Sequence, residues 1–187
     1  MKELIQYVDK QGRPTGEVEE KLAAHHADTR RHLAFSCYIF NGQGQLLVTK
    51  RAASKKVWPN VWTNSVCGHP LPNESFQAAV KRRAKYELGL ALVNDIQCII
   101  DDYTYKTPPY NGIVENEFCP VFFAHLTGTL HINESEVAEY KFIDWQEFLK
   151  RLQSDNNNEW SWWAKDQAKL LVAQANEAIT KFTSKAD

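Results

Sequence analysis

The run Thr63-Asn64-Ser65-Val66-Cys67-Gly68-His69-Pro70 sets a thiol two residues from an imidazole, a proton donor or nucleophile beside a potential metal ligand. Gly68 permits the tight turn that presents both to one space. Taken alone, Cys67 reads as a buried structural thiol, the common fate of a free cysteine. Two further groups shift that balance. Glu115 and Glu117 are separated by one residue, so on a strand they project from one face, where their mutual repulsion calls for a cation. His25 and His32, in His-His-Ala-Asp-Thr-Arg-Arg-His, offer two imidazoles able to meet at a site from a loop or from one helix face. With His69 they make three nitrogens and two carboxylates. Such a set suits a roughly octahedral divalent ion with an open position (Mn2+, Zn2+, Fe2+ or Mg2+) better than a structural zinc finger.

Another chemical signal lies on a helix expected over residues 74–88. Asn73 is suited to cap it, Glu74 matches the positive end of the helix dipole, and Gly89 provides the stop. Phe76, Val80, Ala84 and Leu88 recur every fourth residue and form the core-facing stripe. Arg83 and Glu87 fall inside that stripe, about 20° to either side of Phe76. A charge on a buried face is costly unless it meets an opposite charge, a metal or a bound ion. The pair is therefore expected to face a polar cleft rather than form an ordinary surface salt bridge.

The elements that must position these groups read as mixed α and β. Strands are expected over residues 4–8, 34–40, 45–50, 96–101, 114–126 and 140–143, with a hairpin signal at Asn41-Gly42-Gln43-Gly44. Residues 9–16 read as a turn and 18–24 as a short helix. Later helices fit residues 145–152 and 163–182, with a surface loop over 154–158 between them. This order predicts an α/β (α+β) fold, a mixed sheet flanked by helices in a single compact domain. A length of 187 residues fits one such domain.

Net charge is −1, from 22 basic and 23 acidic residues in no long run of one sign, which advertises neither nucleic acid nor an anionic membrane as a partner. No apolar stretch approaches the roughly 20 residues of a membrane span. Cys37, Cys67, Cys98 and Cys119 are widely spaced, lack a CxxC pair and follow no signal-like N-terminus, so a reduced, cytoplasmic protein is expected.

Gly68-x5-Glu74-x7-Arg82, followed by Glu87 and Gly89-Leu90, is similar to the Nudix signature, a loop-helix-loop that handles diphosphates through a divalent cation. Hydrolytic members carry acidic residues where this chain has Arg83 and Tyr86, which argues against hydrolysis. Over nearly its full length the chain resembles type I isopentenyl-diphosphate isomerase. The resemblance is carried by His-Ala-Asp-Thr-Arg at 26–30 with His25 and His32 around it, Ser-Lys-Lys at 54–56, and Trp-Pro-Asn-Val-Trp-Thr-Asn-Ser-Val-Cys-Gly-His-Pro at 58–70. Arg83, Glu87, Gly-Ile-Val-Glu-Asn-Glu at 112–117 and the tryptophan-rich segment near Trp163 extend it.

That resemblance implies a metal held by His25, His32, His69, Glu115 and Glu117, with Cys67 and Glu117 as an acid/base pair and Tyr105 assisting Glu117. It further implies that Glu87 helps to bind a Mg2+ on the diphosphate, that Lys21, Arg51, Lys55 and Arg83 hold its oxygens, and that Trp163 faces the hydrocarbon. The metal at the His/Glu site would be Mn2+, Zn2+ or Mg2+. The substrate would be a small-molecule homoallylic or allylic diphosphate, and the protein a monomer or weak homodimer. The chain has Trp160-Ser161-Trp162-Trp163 without the proline that often precedes the functional tryptophan, so the substrate-facing ring could be any of the three. A Nudix diphosphohydrolase and a catalytically silent diphosphate- or metal-binding module are the competing readings. Cys67 with Glu117 counts against the silent module, which needs no acid/base pair.

Overall fold

The computed structural model describes residues 3–90 and 92–184. In chain order these form β1 (Leu4–Val8), β2 (Pro14–Glu20), α1 (Lys21–Ala24), β3 (His32–Leu33), β4 (Phe35–Phe40) and β5 (Leu46–Arg51). There follow β6 (Trp62–Thr63), β7 (Val66–Gly68), α2 (Phe76–Leu88), β8 (Leu92–Ile100), β9 (Thr104–Lys106) and β10 (Asn116–Phe118). The chain closes with β11 (Val121–Thr127), β12 (Val137–Ile143), α3 (Trp145–Gln153), α4 (Trp162–Gln174) and α5 (Asn176–Thr183).

The strands make two sheets. One has the order β2-β1-β3-β10-β9; the other runs β12-β5-β4-β11-β8, with β6 added to β5 and β7 to β4. Two chain segments pass from the first sheet into the second. β3 continues into β4 after Ala34, and β10 continues into β11 after Cys119 and Pro120. The two segments stay parallel across the corner, joined by Ala34 N–H to Phe118 O at 2.8 Å and Ser36 N–H to Pro120 O at 3.1 Å. Pro120 has no N–H to give a ladder, which explains why the strand expected over residues 114–126 is divided.

All six residues of β4 are buried, because the second sheet is covered on both faces. Phe35, Cys37 and Ile39 pack with Val80, Ala84 and Leu88 of α2. Tyr38 and Phe40 point the other way, among Phe123, Trp145, Phe148, Leu171 and Phe182. The period-two alternation of one strand thus serves two cores.

Three helix expectations need correction. Ser75, not Asn73, caps α2, its hydroxyl accepting from Ala78 N–H at 3.2 Å, while Asn73 takes a left-handed φ of 64° in the preceding turn. The segment expected as a helix over 18–24 is strand as far as Glu20, because β2 pairs antiparallel with β1, leaving only Lys21–Ala24 helical. This pairing also draws Pro14 to Gly16 out of the expected turn. The late helix breaks at Ala175 (φ −129°), which redirects α5 so that Phe182 reaches the core beside Phe40 and Phe123. The stop of α2 at Gly89 is as expected, with φ 67° and its N–H bonded to Lys85 O.

Candidate active site

The corner where the two sheets meet opens into a cavity of about 700 Å³, and strand register places the chemical groups around it. On the first sheet, Glu117 of β10 is opposite both His32 of β3 and Tyr105 of β9, so three neighbouring strands set these side chains in a row. His25 enters from the end of α1 and His69 from the residue after β7. His25, His32, His69 and Glu117 each offer a ligand atom, all within 4.8 Å of one another.

Their outer contacts aim those atoms inward. His25 Nδ1 contacts Lys21 O at 2.7 Å and His32 Nδ1 contacts Arg30 O at 3.0 Å, which leaves each Nε2 as a lone pair facing the centre. Both Nε2 atoms are buried and make no hydrogen bond. Burial first, then the neighbouring His32, push His25 down to about 4, and burial takes His69 down to about 3, so both rings are neutral near pH 7. Burial works to raise the Glu117 carboxyl, but the imidazole nitrogens beside it, His69 Nε2 at 3.2 Å and His32 Nε2 at 3.5 Å from Oε1, outweigh burial and hold it well below the usual range. Lone pairs and an anion converging in a dry space demand a cation. The four residues fit a divalent metal by that test.

Glu115 is not among the four. It precedes β10, and its Oε2 accepts from the Tyr105 hydroxyl at 3.2 Å while the same hydroxyl donates to Glu117 Oε2 at 2.7 Å. Burial, then Glu117, raise the Glu115 carboxyl, and burial and both carboxylates raise Tyr105 well above its ordinary value. Tyr105 is therefore a neutral donor shared between two acids.

Across the cavity, Cys67 of β7 is paired with Ser36 of β4 on the second sheet. Its sulfur is 3.4 Å from Ser36 Oγ, and its thiol donates to Asn64 Oδ1 at 3.1 Å. Burial pushes it up to about 12, against these hydrogen bonds, so it rests as a thiol. Of the three late tryptophans, Trp163 lines the cavity. Trp160 packs on Phe148 and Trp62, and Trp162 stacks on Tyr105.

Another part of the cavity wall is basic, and its charges are already paired. Arg83 is 6% exposed, which bears out the inward-facing charge read from the helix pattern. Its guanidinium bonds Glu87 Oε1 at 2.6 and 2.9 Å, Glu136 Oε2 at 3.0 Å, and Glu3 Oε1. Lys21 donates to Glu3 Oε2 at 2.8 Å, and Lys55 is bonded to Glu136. Arg51 lines the cavity, but its guanidinium donates to Trp58 O and Val57 O and stands 5.6 Å from the Trp163 ring centre. Glu74 and Arg82 form a bidentate pair at 2.7 Å, and Arg82 also holds His69 O at 2.9 Å, which clamps the metal-side loop to α2.

Residues 30–165 match the family described as NUDIX domain. The chain is 51% identical over 145 residues to the isopentenyl-diphosphate Delta-isomerase of Citrobacter koseri, covering 78% of this chain and 79% of that protein. It is 56% identical over 140 residues to the protein of the same name from Shigella dysenteriae, covering 75% and 76%. The chain belongs to the isopentenyl-diphosphate Delta-isomerase family. A crystal structure from Deinococcus radiodurans shares the fold with a TM-score of 0.66 at 20% identity, covering 93% of this chain and all of that one.

Within this family member, the motif residues Cys67, His69, Glu117, Tyr105, Arg83 and Glu87 all line the one cavity. Glu3, Glu136 and Asn64 escaped the sequence reading. Glu136 reaches Lys55 and Arg83 because the loop of residues 52–55 docks on that of 133–137, through Ala52 N–H to Glu136 O at 3.0 Å and Ser54 Oγ to Ser135 O at 3.1 Å. No local signal in the sequence marks that contact. Asn64 carried one, its place inside the Thr63 to Pro70 run.

Proposed function

We propose that this protein is a cytoplasmic isomerase interconverting isopentenyl and dimethylallyl diphosphates in isoprenoid biosynthesis, with Cys67 and Glu117 as the two proton-transfer groups. The observation that carries this reading is that Cys67 and Glu117 rise from different sheets to the same cavity, with the Trp163 ring in its wall and cationic side chains at the other end. A proton must be added to the terminal methylene carbon, leaving the electron deficit on the tertiary carbon. A second proton must leave the carbon next to the diphosphate-bearing methylene, so that its C–H electrons form the new double bond. Atoms and charge balance, and one donor and one acceptor suffice.

Glu117 moves the proton on the metal side, with Tyr105 supplying an O–H to its carboxylate, and Cys67 moves the other. His25, His32, His69 and Glu117 would hold the resident divalent ion, with Glu115 as an additional ligand, the ion being Mn2+, Zn2+ or Mg2+. When bound, such an ion draws charge from Glu117 and sets its acidity. The tertiary cation requires a site that excludes water and offers no nucleophile in bonding reach. Trp163 offers a ring face that is not a nucleophile and that attracts a desolvated cation by about 2 kcal/mol.

Lys21, Lys55 and Arg83 bind the diphosphate oxygens, exchanging their carboxylate partners for phosphate, with Arg51 supporting the wall beside them. Glu87, whose Oε1 accepts from Arg83, would help to hold a Mg2+ carried on the diphosphate. Anchoring at this remote end orients the alkene between Glu117 and Cys67. Replacing Cys67→Ala is expected to cut kcat by about 10³-fold or more while metal content and the Kd of a saturated alkyl diphosphate stay unchanged. Near wild-type turnover by that variant would remove Cys67 from the reaction.

A further inference from the structure

Asn64 is fully buried between β6 and β7, and both halves of its side-chain amide are hydrogen-bonded. Its amide nitrogen donates to Cys37 O at 3.0 Å and Val66 O at 3.2 Å. Its Oδ1 accepts from the Thr63 hydroxyl at 2.9 Å, the Cys67 thiol at 3.1 Å and the Trp163 indole N–H at 3.2 Å. Backbone carbonyls only accept and an indole nitrogen only donates, so the orientation of the amide is fixed from both ends. Aspartate in its ionised form would lack the two donors, and leucine would lack donors and acceptor alike. The link extends to α4, because Ser161, the cap of that helix, donates its hydroxyl to Thr63 Oγ1 at 2.9 Å. One oxygen therefore ties the strand that bears Cys67 to the first turn of the helix that bears Trp163.

We propose that Asn64 is a positioning residue that sets the Cys67 thiol and the Trp163 ring relative to one another through this shared acceptor. The inference rests on the reading above, in which Cys67 transfers a proton and Trp163 faces the cation. A proton-transfer group and a cation-stabilising ring must address the same few carbons of one small substrate. A misplacement of about 1 Å at such a site costs on the order of 10²-fold in rate. A single carboxamide holding both groups removes their independent motions. Lys21, Lys55 and Arg83 are bonded to Glu3 and Glu136, which are not part of this network, so disturbing it should alter the reacting groups and spare the diphosphate-binding ones.

The direct test is the infrared S–H stretch of Cys67, isolated by subtracting the spectrum of Cys67→Ala from that of each protein that retains the thiol. Trp163→Phe removes one of the three donors competing for Oδ1, so the remaining thiol hydrogen bond strengthens and the band moves to lower frequency. Asn64→Ala removes the acceptor and moves it to higher frequency. In kinetics, Asn64→Ala should lower kcat by about 10²-fold with KM for isopentenyl diphosphate within about twofold. Combined with Trp163→Phe, it should lose less than the product of the two single losses, since both break one link. An unmoved band in Trp163→Phe overturns the shared acceptor and can be read whether or not Asn64→Ala folds. A wild-type kcat in Asn64→Ala overturns the positioning role. A wild-type protein without isomerase activity would overturn the functional reading itself, whereas an unmoved band in an active enzyme overturns the role of Asn64 alone.

Discussion

The two ends of the cavity handle charge in opposite ways. At the histidine end, Nε2 of His25 and of His32 are buried with no hydrogen bond, and Glu117 joins them as an anion. At the arginine end, Arg83, Lys21 and Lys55 are matched by Glu3, Glu87 and Glu136. The first end is organised around a partner the chain does not itself supply. The second end carries its own counter-ions and must exchange them. Binding a metal therefore completes a preformed centre, whereas binding a diphosphate means displacing carboxylates from cations.

Removing the metal should produce the largest effect, since it leaves the ligand set uncompensated and disables Glu117. Chelation, or His69→Ala, is expected to reduce turnover by about 10³-fold or more, with recovery in the chelated wild type when divalent ion is restored. In the same titration the melting temperature should rise with ion concentration, by the equivalent of about 2.7 kcal/mol at 100 times Kd. Full activity in protein verified to be free of metal would abolish the contrast between the two ends.

Arg83→Met comes next, because it strands Glu87 and takes one of two cations from Glu3 and from Glu136 at a buried position. Denaturant unfolding should show a loss of about 3–5 kcal/mol, and KM for the diphosphate should rise with it. A variant of wild-type stability would mean that Glu3, Glu87 and Glu136 do not depend on Arg83. Glu3→Gln is the milder counterpart. Glu3 sits at about 2, burial raising it but Lys21 and Arg83 lowering it further, and its side chain is 39% exposed. Stability should change by less than about 1 kcal/mol, while KM falls a few-fold as a competitor for the two cations disappears. An increased KM would assign Glu3 to substrate binding rather than to charge matching.

Metal-free stability should also depend on pH. His25 and His69 have folded-state values of about 4 and about 3, below the free imidazole value of 6.5. As pH falls below 6.5, the unfolded chain takes up protons that the folded chain refuses, so stability drops down to about pH 3. Glu3, lowered from 4.5 to about 2, adds a loss in the same direction over its own lower window. Urea midpoints at pH 7 and pH 5 measure the first part. A higher midpoint at pH 5 would contradict neutral burial of these rings.

The histidine end was more legible in the sequence than the arginine end, for a physical reason. Metal ligands and Cys67 are uncommon residue types set in compact runs, and period-two spacing already put Glu115 and Glu117 on one face. Glu115 lies just before the strand proper and shares the Tyr105 hydroxyl with Glu117. Arg83 and Glu87 were visible as charges on the wrong face of α2, but the other two partners of Arg83, Glu3 and Glu136, arrive from just before β1 and from a loop before β12, contacts created only by tertiary packing. The helix break at Ala175 was likewise silent, because residues on both sides favour helix and only the core around Phe182 decides the bend. In the sheets, Pro120 was the one local sign that a continuous apolar run turns a corner.

Proton NMR of isopentenyl diphosphate incubated with the metal-loaded protein in D2O tests the central claim most directly. Dimethylallyl diphosphate carrying deuterium, with the diphosphate intact, is the expected product. Release of phosphate without rearrangement of the double bond would contradict it.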